Sequence, residues 1–286
     1  MTPEAGPPVS RSAQGSAPES PLAPQLVAVY LAPREGGSWR LAGGGVTGST
    51  NDDARGLARL GDPGGVAVLA TVQTAGRGRF DRVWESPDGG VYLSVLVRPR
   101  IDPARAGAVP LVAGVSVVRA LQSLDAGLLG VLRLKWPNDV LADGRKLAGI
   151  LVESSVSAGV LEWLVIGVGL NVIRPGEGSD PSRAYVSDLV AAGSPALEQA
   201  RVAAALLDLL RDHLEVVTRD PDDVGHLSDD YRELSGDVGR SVAVRDRTGA
   251  VVAEGVVTGF AADGALLLDT AEGPASVAAG EVTLRS

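Results

Sequence analysis

The stretch VAVLATVQTAGRGRFDR, residues 66–82, joins an apolar run to a loop rich in glycine and arginine. The run VAVLATVQ is short and rich in valine, which predicts a β-strand. Glycines let the backbone amides of the loop approach a ligand closely, and arginines bind phosphate oxygens through paired, charge-assisted hydrogen bonds. A solvated surface loop is the alternative. The composition favours an anion-binding loop directly after a strand.

The sequence on the C-terminal side of this loop predicts a mixed α+β core. Residues 91–98, VYLSVLVR, alternate between apolar positions and the residues that separate them, which indicates a half-buried strand. The stretches KLAGILVES (146–154) and LEWLVIGVGLNV (161–172) read as two further strands joined by a Ser-Ala-Gly turn. Between them and the first strands, residues 105–124 carry apolar side chains at helical spacing. These are Leu111, Val115, Val118 and Leu121.

The C-terminal part predicts helices followed by a small all-β unit. Asp188 to Val217 and Asp222 to Leu234 have helical periodicity and would close the main domain. After Gly236, four short strand-like stretches alternate with turns, and a β-barrel of about 50 residues is the natural interpretation. We therefore predict a catalytic domain over residues 25–235 and a C-terminal domain over 236–286.

The N-terminal residues 1–24 consist mainly of Pro, Ser, Ala and Gly and predict a disordered tail. This space is too short for a helix-turn-helix. The start of the chain also lacks the basic and apolar regions of a signal peptide, and no apolar run reaches the roughly 18 residues of a membrane span. A cytoplasmic location is the resulting expectation.

Charge and composition exclude several function classes. The net charge of -9 over 286 residues, without a long basic run, argues against partners such as nucleic acid or an anionic membrane. The chain has no cysteine and two histidines, so we expect no disulfide, no thiolate or histidine-rich metal site and no cysteine nucleophile. An anionic ligand would have to meet a local cluster of positive charge.

Two further segments have polar residues in patterns that suit a ligand. Lys135-Trp136-Pro137-Asn138-Asp139, with Lys146 at the start of the next strand, has a composition able to bind phosphate and an accompanying Mg²⁺, although a structural turn is an equal alternative. Residues 43–50, GGGVTGST, imitate a phosphate-binding P-loop but lack its lysine. Ser49, Thr50 and Asn51 are better suited to cap the following helix or to donate to a ligand.

A third glycine pattern, Gly167-Val168-Gly169-Leu170-Asn171, lacks the last glycine of a dinucleotide-binding fingerprint. Pro175 also opposes the helix that must follow such a fingerprint. We therefore reject a Rossmann site here.

In this order, the segments 48–51, 73–79, 135–139, 146–151 and 167–171 resemble the biotin protein ligase family. The resemblance extends from about residue 46 to the C-terminus, where GALLLD and GEVTLRS look like the SH3-like final domain of that family. It implies an α+β fold, in which a mixed-sheet catalytic domain of the biotin/lipoate ligase type precedes a small β-barrel. It also implies a monofunctional enzyme, EC 6.3.4.15, without the DNA-binding domain of the family's repressors.

The resemblance further implies roles for individual residues. Lys146 and Arg79 would be catalytic. The biotin-binding residues would be Ser49, Thr50, Asn51, Gln73, Arg77, Gly78, Arg79, Lys146 and Gly149. The nucleotide-binding residues would be Arg82, Lys135, Asn138 and Asn171. No metal-ligating residue is implied.

One departure from the family concerns the arginine loop, which usually reads Gly-Arg-Gly-Arg-x-Gly-Arg. Asp81 stands where the later glycine is usual. Its carboxylate lies among arginines that would bind phosphate, so loop closure or retention of an adenylate is expected to differ. Repulsion among the arginines predicts a loop that is mobile until an anion binds.

The expected substrates and cofactors are ATP, biotin and Mg²⁺. The expected reaction is biotinylation, a protein modification in which biotinyl-5′-AMP is formed and biotin is transferred to a lysine of a biotin carboxyl carrier domain. That domain would belong to an acyl-CoA or pyruvate carboxylase, and the ligase would be a monomer or weak homodimer. A lipoate-type ligase and a non-catalytic biotin- or nucleotide-binding protein are the alternatives.

Overall fold

A computed structural model of the chain describes residues 20–33, 39–176, 178–219 and 224–284. Most of the predicted tail, residues 1–19, lies outside the described residues. The prediction is wrong for the residues that follow, because Leu22 is completely buried in the main core. The hydroxyl of Ser20 also donates a hydrogen bond to the carbonyl of Gly44. Residues 20–24 therefore pack against the body of the protein.

The first sheet contains seven strands and confirms the predicted mixed sheet. They are β1 (Arg40–Thr47), β2 (Val66–Gln73), β3 (Gly90–Val97), β4 (Leu132–Lys135), β5 (Asp139–Ala142), β6 (Arg145–Ser157) and β7 (Val160–Asn171). Their spatial order is β1-β2-β3-β7-β6-β5-β4. The β1–β2 pair is parallel and the other pairs are antiparallel.

Strand β1 was not predicted, because its three consecutive glycines lack the side chains by which a strand is recognised. The glycines permit a close approach of backbones. A Cβ atom on Gly43 would lie 2.4 Å from the carbonyl oxygen of Leu69 on β2, and Gly43 has a φ of +79°. Glycine is the residue that adopts this conformation without strain.

The described part of the chain contains five α-helices. They are α1 (Pro24–Tyr30), α2 (Thr50–Arg59), α3 (Val109–Leu124), α4 (Gln199–Arg219) and α5 (Val224–Leu234). Helix α3 is the helix predicted for residues 105–124, preceded by a 3-10 stretch from Pro103 to Ala108. The prediction that a helix begins at Asp188 is wrong. The chain turns at Gly193, with a φ of +86°, and Pro195 follows, so the helix starts at Gln199.

Helix α3 and its 3-10 extension, Pro103–Leu124, are long and apolar enough by length and composition to cross a membrane. Of its most apolar window, 67% is buried inside the protein. Helix α3 packs against α4 and the first sheet, and its side chains belong to the main hydrophobic core. The apolar character of this helix is therefore explained by its position in the core.

The C-terminal sheet has five antiparallel strands. They are β8 (Ser241–Arg245), β9 (Val251–Phe260), β10 (Leu266–Thr270), β11 (Gly273–Val277) and β12 (Glu281–Leu284), in the order β11-β10-β9-β8-β12. A small all-β unit follows α5, as predicted. The turn at Gly264 touches the 3-10 stretch before α3, where a Cβ atom on Gly264 would lie 2.4 Å from the carbonyl oxygen of Gly107.

Candidate active site

The candidate active site is a pocket between α2, the strands β5, β6 and β7, and residues 76–82, which we call the Gly-Arg loop. Most of the predicted site residues line this pocket. They are Ser49, Thr50, Asn51, Gln73, Arg77, Gly78, Arg79, Arg82, Asn138, Lys146 and Gly149. The fold therefore brings together segments that are separated by as much as 100 residues in the sequence.

One end of the pocket is uncharged and polar. The side-chain oxygen of Gln73 accepts a hydrogen bond from the backbone N–H of Thr50 at 2.8 Å, and the Gln73 amide donates to the Ser86 hydroxyl at 2.8 Å. The buried Ser94 hydroxyl lies 2.7 Å from the Thr50 hydroxyl and 2.6 Å from the Asn51 amide oxygen. Such a network fixes the direction of each donor and acceptor before a ligand arrives.

Ser49 occupies the N-cap position of α2, but its side chain makes no capping hydrogen bond. Of the two alternatives for Ser49, capping the helix or donating to a ligand, the first is therefore not observed. The side chain is buried and lines the pocket. Its hydroxyl is thus placed where it can serve a ligand.

Glu153 ties the uncharged end to the Gly-Arg loop. Its carboxylate accepts hydrogen bonds at 2.8 Å from Asn51, from Arg77 and from Arg55. Burial would raise the pKa of Glu153, but these hydrogen bonds and the charges of Arg77 and Arg55 outweigh burial and lower the pKa. Arg77 is also 2.8 Å from Asp52. The beginning of the loop is thereby attached to α2 and β6.

The other end of the pocket carries positive charge. The Lys146 ammonium lies 2.7 Å from a carboxylate oxygen of Asp139, within the β5–β6 hairpin. Arg79 donates to the side-chain oxygen of Asn138 at 3.4 Å, and the Asn138 amide donates to the carbonyl of Ile150 at 2.9 Å. Burial lowers the pKa of Arg79, while the nearby carboxylates Glu281 and Asp139 act in the opposite direction. Arginine remains charged under these conditions.

The C-terminal sheet contributes directly to this pocket, which the sequence did not reveal. Arg79 donates a hydrogen bond to the carbonyl of Gly280 at 3.1 Å, and Arg82 forms an ion pair with Glu281. Glu281 also lines the pocket. The loop arginines are therefore bound to carboxylates and carbonyls, which offset part of their mutual repulsion. Mobility of the loop before an anion binds stays a prediction.

Trp84 is a pocket residue that the sequence analysis missed. Its ring rests against two glycines, because a Cβ atom would lie 2.3 Å from it at Gly169 and 3.1 Å from it at Gly149. The Lys146 ammonium is 5.2 Å from the ring centre. The indole N–H is buried and has no hydrogen-bond partner among the described residues. An aromatic residue directly after an anion-binding loop was the signal that could have identified it.

Two predicted nucleotide-side residues, Lys135 and Asn171, do not line the pocket. The Asn171 amide is engaged with the backbone carbonyls of Lys146 at 3.3 Å and Ala184 at 3.2 Å. Asn171 is buried and connects β7 to the segment that follows it, so the structure assigns it a supporting role. Lys135 ends β4, and its charge acts on Asp237 of the connection to the C-terminal sheet.

The two ends define what the pocket can bind. Hydroxyl and amide groups at one end suit a neutral head group with hydrogen-bond donors and acceptors. Lys146, Arg79 and Arg82 at the other end suit a carboxylate or phosphate. The arrangement is suited to joining a small carboxylic acid to a phosphate-bearing substrate.

Comparison with known families and proteins agrees with this arrangement. Residues 44–171 match the model of the biotin/lipoate A/B protein ligase family, and residues 238–285 match that of the biotin protein ligase C-terminal domain. A biotin protein ligase from Aquifex aeolicus in complex with biotin and ATP aligns with a TM-score of 0.68 at 25% sequence identity, covering 86% of this chain and 98% of that chain.

Two curated relatives illustrate the similarity in sequence. A biotin–[acetyl-CoA-carboxylase] ligase of Mycobacterium tuberculosis is 38% identical over 239 residues, which are 82% of this chain and 85% of that protein. A bifunctional ligase/repressor of Bacillus subtilis is 32% identical over 242 residues, 84% of this chain and 72% of that protein. The two domain models match successive parts of the chain, and residues of both parts line the pocket. The chain therefore belongs to the biotin protein ligase family.

Proposed function

We propose that the protein is an ATP-dependent biotin ligase that makes biotinyl-5′-AMP and transfers the biotinyl group to a lysine of a carrier domain. The observation that carries the proposal is the polarity of the pocket. Its uncharged end, formed around Thr50, Asn51 and Gln73, suits the ureido ring of biotin, which both donates and accepts hydrogen bonds. Its cationic end, with Lys146 and Arg79, suits the carboxylate and the phosphate.

In the first step, the carboxylate of biotin attacks the α-phosphorus of ATP, and pyrophosphate leaves. Negative charge accumulates on the phosphate oxygens as the bond forms, and fixed cations stabilise it most when they are already in place. Lys146 is held beside the reaction centre by Asp139, and Arg79 by Asn138 and Gly280. These contacts set the positions of both cations before the substrates bind.

In the second step, the neutral amine of the carrier lysine attacks the activated carbonyl, and AMP leaves. The mixed anhydride must be kept from water until then. The Gly-Arg loop and Trp84 cover the pocket from one side, and the Glu153 and Glu281 carboxylates fix the loop at its two ends. No covalent bond to the enzyme is needed.

Mg²⁺ is expected to enter with ATP. Among the described residues no cluster of three or more His, Asp or Glu side chains could hold a metal by itself. Mg²⁺ is usually held by substrate phosphates together with one or two carboxylates, and Asp139 and Glu281 are the carboxylates that line this pocket. Bound there, it would neutralise phosphate charge.

The carrier domain of a biotin-dependent carboxylase is the proposed acceptor, and acyl-CoA or pyruvate carboxylase is the proposed class. The name of the Mycobacterium tuberculosis relative, a biotin–[acetyl-CoA-carboxylase] ligase, supports this proposal. A monomer or weak homodimer in the cytoplasm stays part of the proposal, and the absence of cysteine is consistent with a reducing compartment.

Pyrophosphate release tests the activity against the two alternatives. Purified protein is incubated with Mg-ATP and either biotin or lipoate, and an isolated carrier domain is then added and weighed by mass spectrometry. We expect pyrophosphate release with biotin and none with lipoate. The carrier domain should then have the mass of its biotinylated form. Turnover of lipoate would identify a lipoate ligase, and biotin binding without pyrophosphate would identify a non-catalytic binding protein.

A further inference from the structure

Asp237 is the most buried charged side chain among the residues whose burial the structure describes, with 4% of its surface exposed. It lies outside the pocket, in the connection between α5 and β8. Placing a carboxylate away from water is unfavourable unless hydrogen bonds and charges compensate for the lost hydration. The groups that contact the Asp237 carboxylate therefore indicate why an acidic residue occupies this position.

The connection that carries Asp237 extends the first sheet. Ser235 forms a parallel bridge with Leu134 of β4, which is the edge strand, and the N–H of Gly236 donates to the Leu134 carbonyl at 2.8 Å. The next contact is made by a side chain. A carboxylate oxygen of Asp237 accepts the backbone N–H of Trp136 at 2.7 Å.

Trp136 is thereby held from two sides. Its backbone is bound by Asp237, and its indole N–H donates to the carbonyl of Gly264, in the β9–β10 turn, at 2.9 Å. The ring is fully buried between the two domains. Trp136 is thus a joint through which the position of the C-terminal sheet is transmitted to the catalytic domain.

Both walls of the cationic end of the pocket depend on this joint. Asn138 and Asp139 follow Trp136 by two and three positions, and they hold Arg79 and Lys146 respectively. From the other domain, Gly280 and Glu281 hold the Gly-Arg loop. A shift of Trp136 against the C-terminal sheet would therefore move the two sets of contacts relative to each other.

We propose that Asp237 is a positioning residue for the ATP half of the reaction, in which its hydrogen bond to Trp136 sets the distance between residues 138–139 and residues 280–281. The proposal rests on the proposed function. The uncharged end of the pocket is built by α2, β2 and β3 and does not pass through this joint. Only the carboxylate of biotin reaches the cationic end, so a change at Asp237 should weaken ATP binding more than biotin binding.

The surroundings of Asp237 agree with a requirement for an acceptor oxygen. Burial raises the pKa of its carboxyl, while the N–H of Trp136 and the charges of Lys135 and Arg240 oppose that rise. Asparagine has the same shape and keeps one acceptor oxygen. Serine stays polar but is too short to reach the Trp136 N–H.

The test compares Asp237→Asn, Asp237→Ser and Asp237→Ala in the full chain, with Asp125→Ala as a control. Asp125 is also an acidic residue that accepts local hydrogen bonds, from Gly127 and Ser194, but it lies away from the pocket. The KM for ATP and for biotin are measured by biotin-dependent pyrophosphate exchange, and the Kd for biotin alone by calorimetry. Amide hydrogen exchange is followed over residues 133–140 and 278–284.

We expect Asp237→Ser and Asp237→Ala to raise the KM for ATP roughly tenfold with a clearly smaller change in the Kd for biotin, and to speed exchange in both segments. Asp237→Asn should be close to the wild type in each measurement. Three results would each overturn the proposal. They are equal losses of affinity for ATP and biotin, an Asp237→Asn variant as impaired as Asp237→Ala, and unchanged amide hydrogen exchange. If Asp237→Ala does not fold, Asp237→Ser alone is compared with Asp237→Asn and the wild type. An inactive wild-type protein would instead refute the proposed function, and the exchange measurement would still test Asp237.

Discussion

At the scale of single residues, the chemistry depends on side chains whose partners fix them before a ligand binds. Lys146 illustrates this, because its ammonium is held by Asp139 and lies near the Trp84 ring. The side chain is about one third exposed, so the ion pair itself contributes little to folding. Its charge is therefore available for its proposed role, the stabilisation of the transition state.

We predict that Lys146→Ala lowers the rate of biotin-dependent pyrophosphate exchange by roughly 100-fold, because a cation that stabilises developing charge is lost. The melting temperature should stay within a few degrees of the wild type, as expected for a side chain outside the core. The neighbouring Arg145→Ala serves as the control, and it should retain activity. Near-normal exchange by a folded Lys146→Ala protein would contradict the assignment.

The backbone conformation of Asp81 explains why the family usually has glycine at this position. Its φ is +58°, in the left-handed region, and Phe80 before it has a φ of +57°. Aspartate tolerates this conformation better than most residues. The side chain is exposed, within a loop whose arginines are expected to bind phosphate.

We predict that Asp81→Gly slows release of biotinyl-5′-AMP severalfold, because it removes both a repulsive carboxylate and a strained conformation. Asp81→Asn separates the two causes, since asparagine removes the charge and tolerates the same backbone. The adenylate off-rate is measured by competition with excess biotin and ATP. Faster release from both variants would show that the Asp81 carboxylate supports retention.

At the scale of elements, the Gly-Arg loop is held at both ends by carboxylates from other elements. Glu153 of β6 binds its first arginine and Glu281 of β12 binds its last. Beneath it, β7 carries glycines on one face of the sheet, where Gly167 borders Asn51 and Gly169 borders Trp84. These glycines serve close packing, which accounts for the incomplete dinucleotide-binding pattern.

We predict that the Glu153 contact weakens in acid. Because its pKa is lowered from 4.5 in the folded protein, the contact's stabilisation is complete above pH 4.5 and is lost as pH falls through the folded pKa. The free energy of unfolding of the wild type should therefore approach that of Glu153→Gln at low pH. Urea titrations across pH measure this, with the exposed Glu162→Gln as control. A difference between wild type and Glu153→Gln that persists at the lowest pH would refute it.

We predict that Gly169→Ala weakens biotin binding about tenfold or more, because its methyl group would lie 2.3 Å from the Trp84 indole and displace the ring. Gly56→Ala, in α2 with open space around it, is the matched control and should bind biotin normally. Calorimetry with biotin measures both. Unchanged affinity in the Gly169 variant would mean that Trp84 does not shape the pocket.

At the scale of the whole molecule, the active site is completed by contact between two domains. The C-terminal sheet touches the catalytic domain at Gly107, at Trp136 and at the Gly-Arg loop. Gly264 lies in the turn between β9 and β10, and Gly280 directly precedes β12 of the same sheet, so a displacement at one contact is transmitted to the others. The catalytic domain alone would present an incomplete cationic end.

We predict that Gly264→Ala lowers both the melting temperature and the affinity for ATP. Its φ is +85° and its Cβ atom would lie 2.4 Å from the Gly107 carbonyl oxygen, so strain and a clash between domains combine. Gly249→Ala is the control, because its φ is +86° but its surroundings are open. Equal effects of the two variants on ATP affinity would show that the domain contact does not matter for the site.

The sequence by itself determined the mixed core and the position of the all-β C-terminal unit, while the candidate pocket residues came from its resemblance to the biotin protein ligase family. Strands β6 and β7 and helix α3 have periodic apolar patterns, and the Gly-Arg loop has a composition with few alternative uses. These properties are local, because they depend on the period of the element and on the chemistry of adjacent side chains.

Only the tertiary structure decided which residues meet. Strand β1 exists because its glycine backbones can approach β2 closely. Helix α4 begins at Gln199 and not at the predicted Asp188, because Gly193 and Pro195 interrupt the helix. Glu281 and Asp237 matter because distant elements bring them beside the pocket or the domain joint. Contacts of this kind depend on how elements pack, and no local pattern in the sequence encodes them.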